Sequence, residues 1–194
     1  MTTDSNPLNL FADWFDQASR EIPDANAMTL ATATPDGKPS ARIVLLKSFD
    51  DRGFVFYTNY NSAKGKQLAV NPFAALVFFW QKLDRQVRIE GKGERVSAEE
   101  SDEYFRSRPV GSQIGAHASP QSEIIPDRTF IEERYRGLEE KYAATSIPRP
   151  AQWGGYRVVP QTIEFWQGRA NRLHDRIVYR RDKDGTWTQE RLAP

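Results

Sequence analysis

Residues 27–59, AMTLATATPDGKPSARIVLLKSFDDRGFVFYTN, decide the fold that we predict for this chain. The turn signals Pro35-Asp36-Gly37 and Asp50-Asp51-Arg52-Gly53 are typical of hairpin connections, because Gly and Asp accept the backbone angles of tight turns. They separate three runs rich in β-branched and aromatic residues: Ala27–Thr34, Pro39–Ser48 and Phe54–Asn59. This pattern predicts consecutive antiparallel strands.

The sequence beyond this stretch adds further strands with helices between them. Phe73–Gln81 is nearly all apolar, which predicts a strand covered on both faces. Gly91 and Gly93 predict a bulge in the strand that follows. Seven or eight short strands without regular helix alternation predict a mainly β protein with α insertions (α+β), an antiparallel and nearly closed barrel with peripheral helices. The remaining predicted strands are Arg85–Val96, Trp153–Val159, Thr162–Gln167, Arg172–Arg180 and Thr186–Leu192.

Capping residues mark the predicted helices. Asn6-Pro7 opens an N-terminal helix over residues 7–22, whose apolar residues recur every three or four positions. Ser62, Ser97 and Asp127 are placed to cap three more helices. We predict a single domain over residues 1–194, with residues 1–6 flexible.

Composition excludes several classes of function. The 194 residues include 27 basic and 26 acidic side chains, a net charge of +1, which does not favour nucleic-acid binding. There is no cysteine and there are only two histidines, so we expect no metal site. The N-terminus lacks a secretory leader and the longest apolar run is too short to cross a bilayer. We expect a cytoplasmic protein.

Two cationic groupings follow the first strands. Arg42 and Lys47 flank a four-residue apolar segment, and their spacing would place them on opposite faces of a regular strand. One strand could then bind two anions, although charges flanking a buried strand are the more common explanation. A Ser62-capped helix start beside Lys64 combines free N–H groups, the positive helix end and an ammonium, which suits an anion. An ordinary capped surface helix has the same pattern.

Two more groupings lie in the second half of the chain. Tyr104, Arg108 and Ser112 are spaced as on one helical face, but Pro109 ends the helix, so we expect Ser112 in a following turn. Arg172, His174 and Arg176 would share one face of an extended strand and form a cationic wall. A surface strand with a solvated histidine is the alternative.

Together these groupings suggest two phosphate sites separated by aromatic and amide groups. Trp153 and Trp166 offer flat surfaces for a planar ring. The glycine-rich loops that usually bind nucleotides are missing from the sequence. The expected ligands are therefore a phosphorylated cofactor facing a phosphorylated substrate.

The motifs, read in order, closely resemble the pyridoxine/pyridoxamine 5′-phosphate oxidase family, from about Pro7 to Pro194. The resemblance implies a split β-barrel homodimer with FMN at the subunit interface. The motifs that carry it are Arg42–Lys47, Phe56–Asn59, Arg85–Val87, Tyr104–Pro109, Ser112–Ala116, Gln121-Ser122, Trp153–Tyr156, Glu164–Gly168, Asn171–Arg176 and Glu190–Pro194.

The resemblance also implies the site residues. The residues expected to bind FMN are Arg42, Ile43, Val44, Leu45, Leu46, Lys47, Tyr57, Thr58, Lys64, Gln86, Gln121, Ser122, Trp166 and Arg176. The residues expected to bind the substrate are Lys47, Tyr104, Arg108, Ser112, Arg172, Leu173 and His174, with Arg172 and His174 as catalytic residues. The family often has Arg where this chain has Ala63, which would weaken FMN binding by about 1.5–3 kcal/mol.

The implied reaction is oxidation of pyridoxamine or pyridoxine 5′-phosphate by O2 to pyridoxal 5′-phosphate, with release of H2O2, and of NH3 from the amine. Three alternatives remain at this point. They are a related flavin oxidase acting on another ring such as a phenazine precursor, a non-catalytic carrier of FMN or pyridoxal phosphate, and a nucleic-acid binder.

Overall fold

The computed structural model describes residues 5–194, which form five α-helices and nine β-strands. The helices are α1 (Pro7–Glu21), α2 (Ala63–Val70), α3 (Ala98–Ser107), α4 (Val110–Ala118) and α5 (Arg128–Lys141). The strands are β1 (Ala27–Ala33), β2 (Pro39–Leu45), β3 (Ser48–Asp50), β4 (Gly53–Asn59), β5 (Phe73–Trp80), β6 (Arg85–Arg95), β7 (Trp153–Gln167), β8 (Asp175–Arg181) and β9 (Trp187–Arg191). The predicted flexibility of residues 1–4 lies outside the described residues.

The nine strands form one antiparallel sheet that curls into a split barrel. Its main path runs β2-β1-β5-β6-β7-β4-β3, and β8 and β9 extend it from β7. The backbone N–H of Lys47 donates to the Val55 carbonyl at 2.9 Å, which ties the chain after β2 to β4 at the far side of the path. The predicted α+β barrel is therefore confirmed, with the single-domain assignment still a prediction.

Strand β7 belongs to both parts of the split sheet. Its first half pairs with β4 and its second half with β8, while β6 pairs with it from Tyr156 to Gln167. The register shifts between Glu90 and Gly91, where a bend or bulge was predicted, but the extra residue is Gln161 on the partner strand β7. A Cβ on Gly91 would lie 2.1 Å from the Val159 carbonyl oxygen, too close for any side chain. The two strands predicted over residues 153–167 are thus one strand, because the bulge lets β6 pair with it on both sides of the register shift.

Helix α1 covers one end of the barrel. Asn6 Oδ1 accepts from the Leu8 N–H at 2.9 Å, which confirms the predicted cap. The buried Phe11 ring lies 4.8–5.2 Å from the rings of Phe49, Phe54 and Phe78. Burial of one such side chain stabilises the fold by roughly 1.5–3 kcal/mol. The periodic apolar face of the helix therefore supplies part of the barrel core.

The prediction that β5 is covered on both faces is wrong for the single chain. Phe73 and Phe79 are 55% and 59% exposed, whereas Leu76 and Phe78 are fully buried. Successive side chains alternate across a strand, so one face of β5 reaches the core and the other does not. An exposed apolar face of this kind is typical of an interaction surface.

The strand predicted over Arg172–Arg180 begins later, at Asp175. Ala170–Arg172 forms a 3-10 turn in which Asn171 and Arg172 have left-handed backbone angles, φ 58° and 60°. The prediction that Arg172, His174 and Arg176 share one strand face is therefore wrong. Period-two alternation fails here because the chain turns before it enters β8.

Candidate active site

A cleft of about 720 Å³ opens between the barrel and helices α2, α3 and α4. Four cations line it, and none of its lining residues is acidic. No carboxylate within the described chain lies within 4.0 Å of these cations. The cleft therefore has an uncompensated positive charge that suits a polyanion. The four cations are Arg42, Lys47, Lys64 and Arg108.

Lys64 lies at the N-terminal end of α2. The Ser62 hydroxyl accepts from the Gly65 N–H at 3.3 Å, which confirms the predicted cap. The Lys64 ammonium donates to Thr58 Oγ1 at 3.2 Å and to Gln121 Oε1 at 3.1 Å. Burial lowers the pKa of Lys64, and repulsion from Arg42 lowers it further. A bound anion would relieve both effects, because it would replace lost hydration and supply the opposite charge.

Arg42 is held by neutral oxygens. Its guanidinium donates to Thr32 Oγ1 at 2.6 Å, to the Leu30 carbonyl at 3.3 Å and to Gln67 Oε1 at 3.4 Å. Burial lowers the pKa of Arg42. These contacts fix the direction of the guanidinium and leave its charge unneutralised.

Arg108 follows α3 and lies against the Trp153 ring, 4.6 Å from its centroid. Its Nη1 is buried without a hydrogen-bond partner among the described residues. Burial lowers the pKa of Arg108, while Tyr104 opposes that shift. A buried donor without an acceptor is costly, so an anion that accepted from this atom would be favoured at this position.

Ser112 was predicted in a turn, but it lies in the first turn of α4. The structure places it in the same cleft as Tyr104 and Arg108. Pro109 ends α3 and also caps the next helix, since proline suits the start of a helix. The sequence predicted that Pro109 ends α3, but we did not predict that it starts α4. The prediction that Tyr104, Arg108 and Ser112 converge is therefore supported by the cleft, where the N-terminus of α4 adds backbone N–H donors.

Three stacked aromatic rings form one wall. Tyr57 and Tyr104 have ring centroids 3.9 Å apart, and Trp153 lies 5.4 Å from Tyr57, with nearly parallel planes. Burial raises the pKa of Tyr57 to about 12, with smaller contributions from Glu100 and Tyr104. Its phenol stays neutral and donates to the Glu100 carbonyl at 3.4 Å, which fixes the ring in the wall.

A second set of predicted residues lies outside this cleft. Gln86 pairs with Trp166, and Trp166 pairs with Arg176, across β6, β7 and β8. Arg176 Nε donates to the buried Glu164 at 2.8 Å, and this bond raises the pKa of the guanidinium. Arg172 and Leu173 are exposed in the preceding turn. This C-terminal set is Gln86, Trp166, Arg172, Leu173, His174 and Arg176.

Three further predictions need correction. Arg42 and Lys47 were expected on opposite faces, but both line the cleft, because β2 ends at Leu45 and the strand alternation stops there. Leu46 is 4% exposed, packs in the core and does not line the cleft, and its backbone N–H and carbonyl both bond to Asn26, so its predicted contact with FMN is not supported within the single chain. Ser122, with φ 72°, is exposed beside Gln121 and does not line the cleft.

The cleft also contains residues that sequence reasoning did not assign. Trp153 was noted only as a flat surface, and the supporting contacts of Thr32 and Gln67 with Arg42 have no local sequence signal. The other unassigned lining residues are Asn59, Ser107, Pro109, Gly115, Ala116 and Ser119.

Comparison with known proteins agrees with this architecture. A family model described as pyridoxamine 5′-phosphate oxidase matches residues 15–142, and one described as the pyridoxine 5′-phosphate oxidase C-terminal dimerisation region matches residues 153–194. A pyridoxine/pyridoxamine 5′-phosphate oxidase of Trichormus variabilis is 58% identical, with 98% of this chain and 90% of that protein covered. One from Ralstonia nicotianae is 57% identical with the same coverage.

Solved structures share the fold. PhzG from Burkholderia lata, in complex with tetrahydrophenazine-1-carboxylic acid, is 32% identical with a TM-score of 0.93, covering 98% of this chain and 94% of that one. A pyridoxamine 5′-phosphate oxidase-related, FMN-binding protein of Nostoc punctiforme superposes over the full length of both chains with a TM-score of 0.78. At 18% identity, the second likeness concerns the fold alone.

Fold and comparisons together define an oxidoreductase built on an antiparallel split barrel. The chain belongs to the pyridoxine/pyridoxamine 5′-phosphate oxidase family, whose members are FMN-dependent enzymes. Among residues 5–194, no helix is long and apolar enough to cross a bilayer. The expected cytoplasmic location remains a prediction.

Proposed function

We propose that this enzyme binds FMN and oxidises pyridoxamine or pyridoxine 5′-phosphate with O2 to pyridoxal 5′-phosphate. The observation that carries the proposal is the carboxylate-free cleft in which Arg108 has a buried, unpartnered Nη1. Two separate groups of cations, near Lys64 and near Arg108, match two phosphorylated ligands better than one. The names of the relatives supply the substrate class.

The donor set fits the chemistry of FMN. Arg42, Lys64 and the N-terminus of α2 would bind its phosphate, since charged donors and free N–H groups converge there. Gln121 and Thr58 would hold the ammonium of Lys64 in place through their own hydrogen bonds. When bound, FMN would accept a hydride from the substrate C4′ and pass two electrons to O2, which gives H2O2.

The second group would bind the substrate phosphate. Lys47, Tyr104, Arg108 and Ser112 all line the cleft and offer charged and neutral donors to one anion. Binding would give the orphaned Arg108 Nη1 an acceptor and leave the substrate ring near the Tyr57–Tyr104–Trp153 wall. The remote phosphate thus supplies binding energy for orientation of the reacting carbon.

We further propose a homodimer in which FMN lies between subunits. The match of residues 153–194 to a dimerisation region supports the dimer, as does the exposed apolar face of β5. The C-terminal set does not line the chain's own cleft, so a role in the reaction requires the cleft of a second subunit. Arg172 and His174 would there contact the substrate ring, and Gln86, Ser122, Trp166 and Arg176 would contact FMN.

The test is an anaerobic titration of the FMN-reconstituted protein with pyridoxamine 5′-phosphate. The expected result is that the visible flavin absorption disappears, and that it returns, with formation of H2O2, when air is admitted. A bound flavin that stays oxidised would contradict the proposal and favour a non-catalytic carrier. The Arg172→Ala variant is expected to retain FMN and to lose most of its turnover, and equal losses would argue against its assigned role.

A phenazine-type substrate is the second candidate, favoured by the PhzG structure with its TM-score of 0.93. The compound bound in that complex has a carboxylate and no phosphate. Because four donors converge where a phosphate would bind, the phosphorylated substrate is the better match here. Parallel product assays with pyridoxine 5′-phosphate and its unphosphorylated form separate the two, and equal rates would favour the second candidate.

A further inference from the structure

The ring of His174 is held by its own turn. Its Nδ1 accepts from the backbone N–H of Arg169 at 3.1 Å. The Trp166 ring lies 4.6 Å from the imidazole, with the planes tilted by 42°. The first contact comes from the segment that joins β7 to β8 and the second from β7 itself, so together they fix the ring relative to the sheet.

The same segment is fastened by a pair of ionic contacts. The side chain of Arg169 donates to Asp175 at 2.8 Å, and Arg191 on β9 donates to the other oxygen of Asp175 at 2.8 Å. Asn171 and Arg172 have left-handed backbone angles, which residues with a Cβ adopt at a cost. Asp175 therefore joins the strained turn to the β8–β9 hairpin.

A backbone amide donates a hydrogen and has no lone pair to accept one. Nδ1 of His174 must then carry the lone pair, and the neutral imidazole has its proton on Nε2. We infer that His174 presents Nε2–H to the substrate as a hydrogen-bond donor, and that Asp175 is a positioning residue that maintains this tautomer through Arg169. The identity of the substrate rests on the proposed function, whereas the tautomer does not.

This arrangement limits what His174 can do. With Nδ1 occupied and Nε2 protonated, the neutral ring has no free lone pair with which to take a proton from the substrate. It can bind an oxygen substituent of the substrate ring and thereby orient it. His174 is thus a residue for binding and orientation, and the proton that leaves the substrate goes elsewhere.

The tautomer can be measured directly by NMR of the full-length protein labelled with ¹⁵N-histidine. The chain has two histidines, so the His117→Gln variant assigns the signals of His174. The expected result is an unprotonated Nδ1 and a protonated Nε2. A protonated Nδ1 with a bare Nε2 would overturn the inference. The measurement needs no turnover, so an inactive protein would contradict the proposed function and leave this inference standing.

The role of Asp175 is tested by Asp175→Asn, with Glu190→Gln as the matched control. Glu190 pairs with Arg180 at 3.3 Å on the same hairpin but does not contact the turn. Asp175→Asn is expected to move the two ring nitrogen signals of His174 toward each other, as tautomers begin to exchange. The Glu190→Gln control should leave the signals unchanged. Unchanged signals in Asp175→Asn would show that Asp175 does not maintain the tautomer.

Kinetics of His174→Gln supply an independent readout, because glutamine keeps an amide donor but cannot act as a base. The expected result is a raised KM with a fall in kcat of less than tenfold. Loss of a general base typically lowers turnover by about 10²–10⁴-fold. A fall of a hundredfold or more in kcat would therefore overturn the donor role.

Discussion

The ammonium of Lys64 lies 3.1 Å from Gln121 Oε1, although 57 residues separate the two along the chain. Lys64→Met should weaken FMN binding at neutral pH by roughly 10- to 150-fold, since a hydrogen bond to a charged group is worth about 1.5–3 kcal/mol. Fluorescence titration of the apoprotein with FMN measures this. Lys66→Met on the same helix is the control, because Lys66 is exposed and lies outside the cleft.

Although Lys64→Met should weaken FMN binding, it should not lower the free energy of unfolding of the apoprotein. The pKa of Lys64 lies below its ordinary value of 10.5, so between the two values the unfolded chain binds more protons than the folded one. Apoprotein stability therefore rises with pH in that window, and the cost of charged Lys64 is fully present below it. Lys64→Met should leave the apoprotein at neutral pH as stable as the parent or more so, measured by urea unfolding.

Arg108→Met should raise KM for pyridoxamine 5′-phosphate by about 10- to 150-fold and leave FMN affinity almost unchanged. The reason is that its unpartnered Nη1 lies in the group assigned to the substrate phosphate. Steady-state kinetics and flavin titration together give both quantities. Arg106→Met, an exposed change within α3, should alter neither, and equal losses of FMN and substrate binding would place Arg108 in the cofactor site.

Ala63→Arg should strengthen FMN binding. Ala63 is exposed at the first position of α2, where a guanidinium could reach the phosphate assigned to Lys64. The expected gain is about 1.5–3 kcal/mol, or roughly tenfold or more in affinity. Ala69→Arg at the other end of this helix is the control for added charge, and a similar gain there would show that charge alone is responsible.

Phe79→Lys should shift the protein from dimer to monomer and reduce FMN retention. Phe79 is 59% exposed on the outer face of β5, and a charge there would be costly to bury in an interface. Light scattering coupled to size exclusion reports the mass. Ile124→Lys changes an exposed loop residue in the same way and should not affect assembly.

Glu164→Gln should lower the free energy of unfolding by about 1.5–3 kcal/mol. Its buried carboxylate contacts Arg88 at 3.0 Å and Arg176 at 2.8 Å, so Arg176 would lose its counter-charge and Arg88 would keep only Glu90. Denaturant unfolding measures the change. Glu190→Gln breaks an exposed pair with Arg180 and should cost less than about 1 kcal/mol.

Features that depend on local chemistry were predictable from the sequence. The caps at Asn6 and Ser62 and the irregular pairing at Gly91 follow from residue types at short spacing. Each reflects a nearby hydrogen bond or a close backbone approach.

Features that depend on distant neighbours were not predictable. Whether Leu46 lies inside and Lys47 in the cleft is decided by where β2 ends against β1 and β4, which no local pattern records. The turn before β8 has left-handed angles at Asn171 and Arg172, positions without glycine, so no sequence signal marks it. Hydrogen bonds from Arg169 to His174 and Asp175 stabilise the turn, although no glycine favours its backbone angles.

The absence of acidic residues from the cleft wall has a consequence for the abundance of the protein. Burial of Lys64 and its repulsion from Arg42 oppose the charged form in the folded chain, and a bound anion would offset both. A ligand that binds only the folded state raises stability in proportion to the logarithm of its concentration. If FMN is the ligand, as proposed above, we expect the protein to be degraded faster in a cell with little flavin.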